Sequence, residues 1–294
     1  KESGINDKLL PGTISSNYTK PSTKYLNLKS DSNPKPADIG NLKPAAAHSP
    51  LVLMLTLTQA GVGVSVIEFL SWITQGHINK HFLTLGTILT FLGLFSSFLH
   101  LGKPSKAWRA FLGWRKSWLS REILIFGLWS FLSLLFLSFV FLDAPKTWIT
   151  ISGFLTSLLG TIGLLSSVMV YADTPRPSWN FKLTFIRFFS TAFGIGIAFS
   201  NWFLLALIPM TISLGIDLVI MSGKNSKCLH SGFLMRGPLK TLSFMRVTMA
   251  VLAIILLIYS PIASVIVFIF SEILGRSLFF RSADEPKMPG LINH

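Results

Sequence analysis

The chain is short of charge, of acid and of cysteine. Of its 294 residues only 13% are Asp, Glu, Lys or Arg, and 12 acids face 26 basic residues. A soluble domain carries about twice that share of charge. A single cysteine, Cys228, excludes a disulfide framework, and it excludes an iron–sulfur or structural zinc site built by this chain alone. Histidine is scarce too. His48 and His294 lie in tails, His77 and His81 in one short loop and His230 in another, and only His100 ends an apolar run. Bis-histidine haem needs two imidazoles facing each other within the bilayer, so no haem is expected. His77 and His81 have the i, i+4 spacing of a metal pair but no third ligand nearby, and no metal site is expected.

What is abundant is hydrocarbon. Half the residues are apolar, mean hydropathy is +0.58, and there are 25 Phe and 8 Trp. Apolar runs fall at 50–74, 82–101, 121–142, 147–171, 183–200, 202–221, 242–259 and 261–281. Each matches the roughly 20 residues that cross a hydrocarbon core of about 30 Å. The expected fold is therefore all-α, an integral membrane bundle of eight transmembrane helices over 50–281, with an extended polar tail (1–49) before it and a short C-terminal tail (282–294) after it.

Only Ser200 and Asn201 separate the fifth run from the sixth, and charge decides between one bent helix and two. With eight alternating helices, one side of the membrane receives 24 of the 26 Lys/Arg and the other keeps Lys80 and Lys146. Merging the two runs destroys that asymmetry. The positive-inside rule then puts both termini and the basic loops in the cytoplasm, on the inner face of a bacterial or archaeal cytoplasmic membrane. The net charge of +14 invites a nucleic-acid reading, but the basic residues sit in short loops between apolar runs, so no nucleic acid is expected.

Residues 1–49 are rich in Pro, Ser, Asn and Lys with no helical or strand period, which is the composition of disorder. A tail of this kind gains order only against a surface, and the expectation is docking on a partner subunit; the alternative is the chain's own loops. Residue 1 is Lys and no apolar signal segment precedes the first run. The chain therefore reads as processed, trimmed or part of a longer polypeptide.

The stretch 99–123 organises the rest. It holds Lys103, Lys106, Arg109, Arg115, Lys116 and Arg121 together with Trp108, Trp114 and Trp118, a mixture suited to the level where hydrocarbon meets headgroups. Trp108, Phe111 and Leu112 can bury one face while Arg109 and Lys116 reach phosphates. Lys103, Trp108, Arg109, Arg115, Lys116, Arg121 and, in the last helix, Arg276 are the candidates for contact with membrane lipids or a docked subunit. His100 and Glu122 flank this segment as a proton-accepting pair beside a slot open to lipid, which is what two-electron, two-proton quinone chemistry requires. Taken singly, each has a bland role, as an interfacial hydrogen-bonder or a helix-dipole partner.

Other ionisable groups, Arg187, Asp217, Arg246, Glu272 and Arg276, collect near the same ends of their helices, with Glu272 and Arg276 expected to pair at i, i+4. In the first helix Gln59 and Glu68 are half a turn out of phase. Gln59 is expected to reach the bundle interior, as part of the quinone site, and Glu68 to be solvated at the far end.

His-Leu-Gly-Lys-Pro-Ser-Lys-Ala-Trp-Arg-Ala-Phe (100–111) and Trp-Leu-Ser-Arg-Glu-Ile (118–123) resemble the membrane anchor subunit of the dimethyl sulfoxide reductase family. Leu-Thr-Gln-Ala-Gly-Val-Gly (57–63), Tyr-Ala-Asp-Thr-Pro-Arg-Pro-Ser-Trp (171–179) and Ser-Glu-Ile-Leu-Gly-Arg-Ser-Leu-Phe-Phe (271–280) support it. The resemblance implies an eight-helix, haem-free anchor without substrate chemistry of its own. It implies exchange of electrons with menaquinone or ubiquinone, and it implies that His100 and Glu122 bind the quinol. It also implies two partners, a four-cluster iron–sulfur subunit and a molybdopterin catalytic subunit, which hold those cofactors. The form Trp-Arg-Lys-Ser-Trp-Leu-Ser-Arg-Glu (114–122) is more similar to the anchors of membrane-bound sulfite dehydrogenases. Residues 10–25 resemble the C-terminal tails of the iron–sulfur partners, which makes a fused polypeptide, or a tail wrapped on that subunit, a further expectation.

Two readings compete. An eight-helix transporter or channel fits composition and topology, yet it predicts polar or broken helices near the midplane, where none is evident. A lipid-modifying enzyme using His100 and Glu122 lacks a nucleophile or metal cluster.

Overall fold

Local capping chemistry starts several of the helices. Asn79 accepts from the His81 and Phe82 amides, Ser117 from Ser120, Asn180 from Leu183, and Ser260 from Ala263 just ahead of Pro261. Each short polar side chain satisfies amides that a first turn leaves without a helical partner. The structure, a computed structural model, describes residues 43–99, 108, 110–174, 176–224 and 228–283.

Eight helices among the described residues are long and apolar enough to cross a membrane. In chain order the helices are α1 (Ser49–Gln75), α2 (Lys80–Phe98), the single turn α3 (Ala110–Gly113), α4 (Trp118–Phe141), α5 (Lys146–Ala172), α6 (Phe181–Ala198), α7 (Leu207–Ser222), α8 (Leu229–Arg236), α9 (Lys240–Tyr259) and α10 (Pro261–Arg281). A tight turn at Phe203–Ala206 leads into α7 and extends that span. No strand occurs among the described residues. The fifth and sixth runs are separate helices, as charge had indicated.

The helices form two groups of four. α1, α2, α4 and α5 pack together, as do α6, α7, α9 and α10, and the groups join where α1 meets α6 and α10 and where α5 meets α6. α1 is the most enclosed, with 72% of its apolar window buried against 28% for α4 and α9. At the α1–α6 crossing two glycines bring backbones together. A Cβ on Gly63 would lie 1.8 Å from the Ala192 carbonyl oxygen, and one on Gly196 would lie 2.3 Å from the Gly63 oxygen. Small residues of this kind are how helices associate in lipid. The outer faces of α2, α4 and α9 carry exposed Phe95, Phe131, Phe244 and Ile258, which suits them to contact with hydrocarbon rather than water.

Eight crossings bring the start of α1 and the end of α10 to one end of the bundle. There the Ala45 amide donates to the Arg281 carbonyl at 3.0 Å, and the His48 ring packs edge-on to Phe280 with centroids 5.9 Å apart. Residues 43–48 thus lie beside the chain's own last helix; the expected docking of the rest of the tail concerns residues outside those described. At the same end α8 lies between α7 and α9, with Leu234 and Met235 buried among Ile216, Ile220 and Leu278.

At the opposite end the expectation for Glu68 fails. Glu68 is buried, not solvated, and its carboxylate accepts from the Asn79 amide at 2.7 Å. The short turn after α1 folds back over it and presents the first orphan amide of the next helix.

Candidate functional site

Near the end where α1 starts and α10 stops, five helices direct polar side chains inward. Rising about 1.5 Å per residue, Arg276 sits about 8 Å from the end of α10 and Gln59 about 15 Å from the start of α1. Asp217 receives Arg187 Nη2 at 2.5 Å and Arg246 Nε at 3.0 Å. Glu272 receives Arg246 Nη2 at 2.7 Å, the Ser213 hydroxyl at 2.7 Å and the Thr191 hydroxyl at 2.5 Å. Arg246 Nη1 donates to Ser271 at 2.5 Å. Every ionised group here is nearly or wholly enclosed. Charges so placed persist only when paired and hydrogen-bonded, because a bare one costs several kcal/mol or more.

This arrangement bears out one expectation and corrects another. Glu272 and Arg276 do pair at i, i+4, at 3.9 Å, while Arg246, which reaches across the helix interface from α9, is the closer partner of Glu272. Arg276 has no exposed surface, so it cannot meet a docked subunit. It lies over the Phe188 ring, 4.4 Å from the centroid, and donates through Nη2 to Gln59 Oε1 at 2.6 Å, Thr191 at 2.7 Å and the Arg187 carbonyl at 3.2 Å. Gln59 does reach the interior. Three Arg (187, 246, 276) stand against two acids (217, 272) in this cluster, and Arg276 Nε and Nη1 and Gln59 Nε2 find no hydrogen-bond partner among the described residues. An unpartnered buried donor costs about 1–3 kcal/mol, more when charged.

Glu122 occupies the first turns of α4 and is 3% exposed. The Ser167 hydroxyl of α5 donates to its Oε1 in a short contact. One turn further along α5, Tyr171 lies within electrostatic range of both Glu122 and Arg276 and meets Phe188 edge-on at 5.8 Å. Ser167 had no signal of its own in the sequence; Tyr171 opens the 171–179 motif, but nothing there placed it beside Glu122.

His100, Lys103 and Arg109 lie outside the described residues. Trp108, Phe111 and Leu112 are exposed, at 58%, 67% and 71%, and Arg115 and Lys116 are exposed as well, Arg115 with its guanidinium 5.3 Å from the Trp114 ring centroid. Arg121 is half-buried and engaged locally: it donates to the Trp114 and Arg115 carbonyls, each at 2.9 Å, and lies 4.2 Å from the centroid of Trp118. It holds the α3–α4 turn.

Eight apolar helices, five of which enclose a buried ion cluster, define a multi-pass membrane protein. The sequence profile of the DMSO reductase anchor subunit (DmsC) matches residues 44–217, and the chain belongs to that family. One sulfite dehydrogenase subunit from Allochromatium vinosum is 28% identical over 39% of this chain and 40% of that protein. That match covers about two fifths of the relative's length. Gln59 and Glu122 fall inside the profile match; Arg246, Glu272 and Arg276 lie beyond it.

Proposed function

We propose that the chain is the quinone-reactive membrane anchor of a molybdopterin oxidoreductase complex, of the dimethyl sulfoxide reductase or sulfite dehydrogenase type. It binds an iron–sulfur subunit and, through that subunit, a molybdopterin catalytic subunit. The basic end of the bundle faces the cytoplasm. The observation that carries this reading is Glu122: an enclosed carboxylate at the basic end of a lipid-facing helix, oriented by Ser167 and set beside the exposed aromatic and basic α3 turn. A quinone bound there supplies transfer of two electrons coupled to two protons. The chain supplies the rest. Glu122 holds or releases a proton at Oε1 or Oε2, Ser167 fixes its orientation, His100 hydrogen-bonds a ring carbonyl, and Phe126 and Trp129 below Glu122 exclude water. Trp108, Phe111 and Leu112 seat the α3 turn at the membrane surface, and Arg115 and Lys116 meet the partner or anionic lipid.

The test is Glu122→Gln in the complete complex. The amide keeps the shape and removes the proton acceptor, so quinone-coupled turnover falls by about 10²–10⁴-fold while activity with a soluble dye, which bypasses the anchor, is unchanged. Wild-type quinone turnover in the variant sinks the proposal.

A further inference from the structure

Three donors of Arg276 and Gln59 are left over, on two side chains already joined by a hydrogen bond. Arg276 makes all its hydrogen bonds through Nη2, leaving Nε and Nη1, and Gln59 leaves Nε2. The orientation of Gln59 is forced: a guanidinium has nothing to accept with, so Gln59 must present Oε1 to it and send Nε2 away. Nε2 shares a carbon with Oε1, and Nη1 shares one with Nη2, so the spare donors flank one and the same 2.6 Å contact. Both side chains are almost wholly enclosed, at 1% and 0% exposure.

All the unpartnered atoms of the pair are donors, and the surrounding cluster has one more guanidinium than carboxylate. The matching ligand atom is therefore an oxygen that brings lone pairs and no hydrogen, a carbonyl or anionic oxygen. A water would bring two hydrogens that need acceptors of their own. Glu122 lies on the same side of the bundle: Phe188 packs against both Arg276 and Tyr171, and Tyr171 is within electrostatic range of Glu122. We propose that Gln59 and Arg276 form a subsite for one ring oxygen of the quinone, the opposite oxygen being turned toward Glu122. This rests on the quinone-anchor reading above, and it adds Arg276 to the binding residues.

The experiment uses the detergent-extracted native complex, loaded with a naphthoquinone carrying ¹³C at one carbonyl or the other and read by infrared difference spectroscopy. The two carbonyl bands are expected to differ, each displaced from its position in free quinone. Gln59→Leu is expected to return one band alone to the free position and to weaken binding about tenfold, the loss of roughly one hydrogen bond. Arg276→Gln should act on the same band, but it unbalances the ion cluster, so Gln59→Leu, checked for an unchanged melting temperature, is decisive. Should Gln59→Leu leave both bands in place while Glu122→Gln displaces one, the subsite is overturned and the quinone site stands. If loading the wild-type complex displaces neither band, the quinone-anchor reading falls and the subsite with it.

Discussion

Arg246 shows what the sequence could and could not disclose about single residues. A charge inside an apolar run is conspicuous because it is costly there, so Arg187, Asp217, Arg246, Glu272 and Arg276 stood out at once. Their pairing was legible only in part. Spacing along one helix gave the Glu272–Arg276 pair, but not the reach of Arg246 from α9 to Asp217, Ser213, Ser271 and Glu272. Ser and Thr are scattered through every membrane-spanning helix, and nothing in the letters separates those that serve this cluster from those that bond only to their own backbone. Cys228 illustrates the reverse case, a residue whose scarcity attracts attention and whose surroundings are inert. It is 2% exposed, its Sγ sits 3.7 Å from the Pro177 carbonyl, and burial pushes its thiol up from the ordinary value, against the pull of the Arg187 charge. The nucleophile is the thiolate, so alkylation by iodoacetamide at neutral pH should be far slower in the folded protein than after denaturation. Equal rates in the two states would mean that this corner of the fold is open.

Long elements were legible and short ones were not. The eight apolar runs fall close to the observed spans, because an uninterrupted stretch of about 20 apolar residues admits little else in a bilayer. α3 and α8, four and eight residues long, are too short and too mixed in composition to give a period, and only packing at the bundle end defines them. The glycines of α1 and α6 were recognisable as sites of close approach, but not which helices they join. Gly63 meets the Ala192 backbone, and backbone cannot swing aside as a side chain does. Gly63→Ala should therefore force α1 and α6 apart and destabilise the protein by about 1–3 kcal/mol, visible as a lower melting temperature in detergent. Gly127, with nothing within 4 Å of its built Cβ, is the control, where Ala should be neutral or mildly stabilising.

For the molecule as a whole, charge distribution was the most informative sequence property, and the structure sharpens it. Arg187, Arg246 and Arg276 counted toward the basic side but are buried in the cluster, which leaves 21 basic residues at that side against Lys80 and Lys146 at the other. The bias in the sequence is still steep, and the orientation it predicts can be tested directly. In a Cys228→Ser background, Lys224→Cys should react with a membrane-impermeant maleimide only in inverted vesicles, and Lys146→Cys only in right-side-out ones. The opposite pattern would turn the protein over and place its basic loops outside.

The bond between Gln59 and Arg276 spans 217 positions, and that separation is also an interval of time. Chains grow at about 5–20 residues per second, so on the order of 10–40 s pass between the synthesis of one partner and the arrival of the other. Throughout that interval the first helix stands in the membrane with a bare amide on the face it will later bury. The helix made first is locked by the helix made last, and a chain that stops before α10 has Arg187, Asp217 and Arg246 but neither Glu272 nor Arg276 to complete its polar centre.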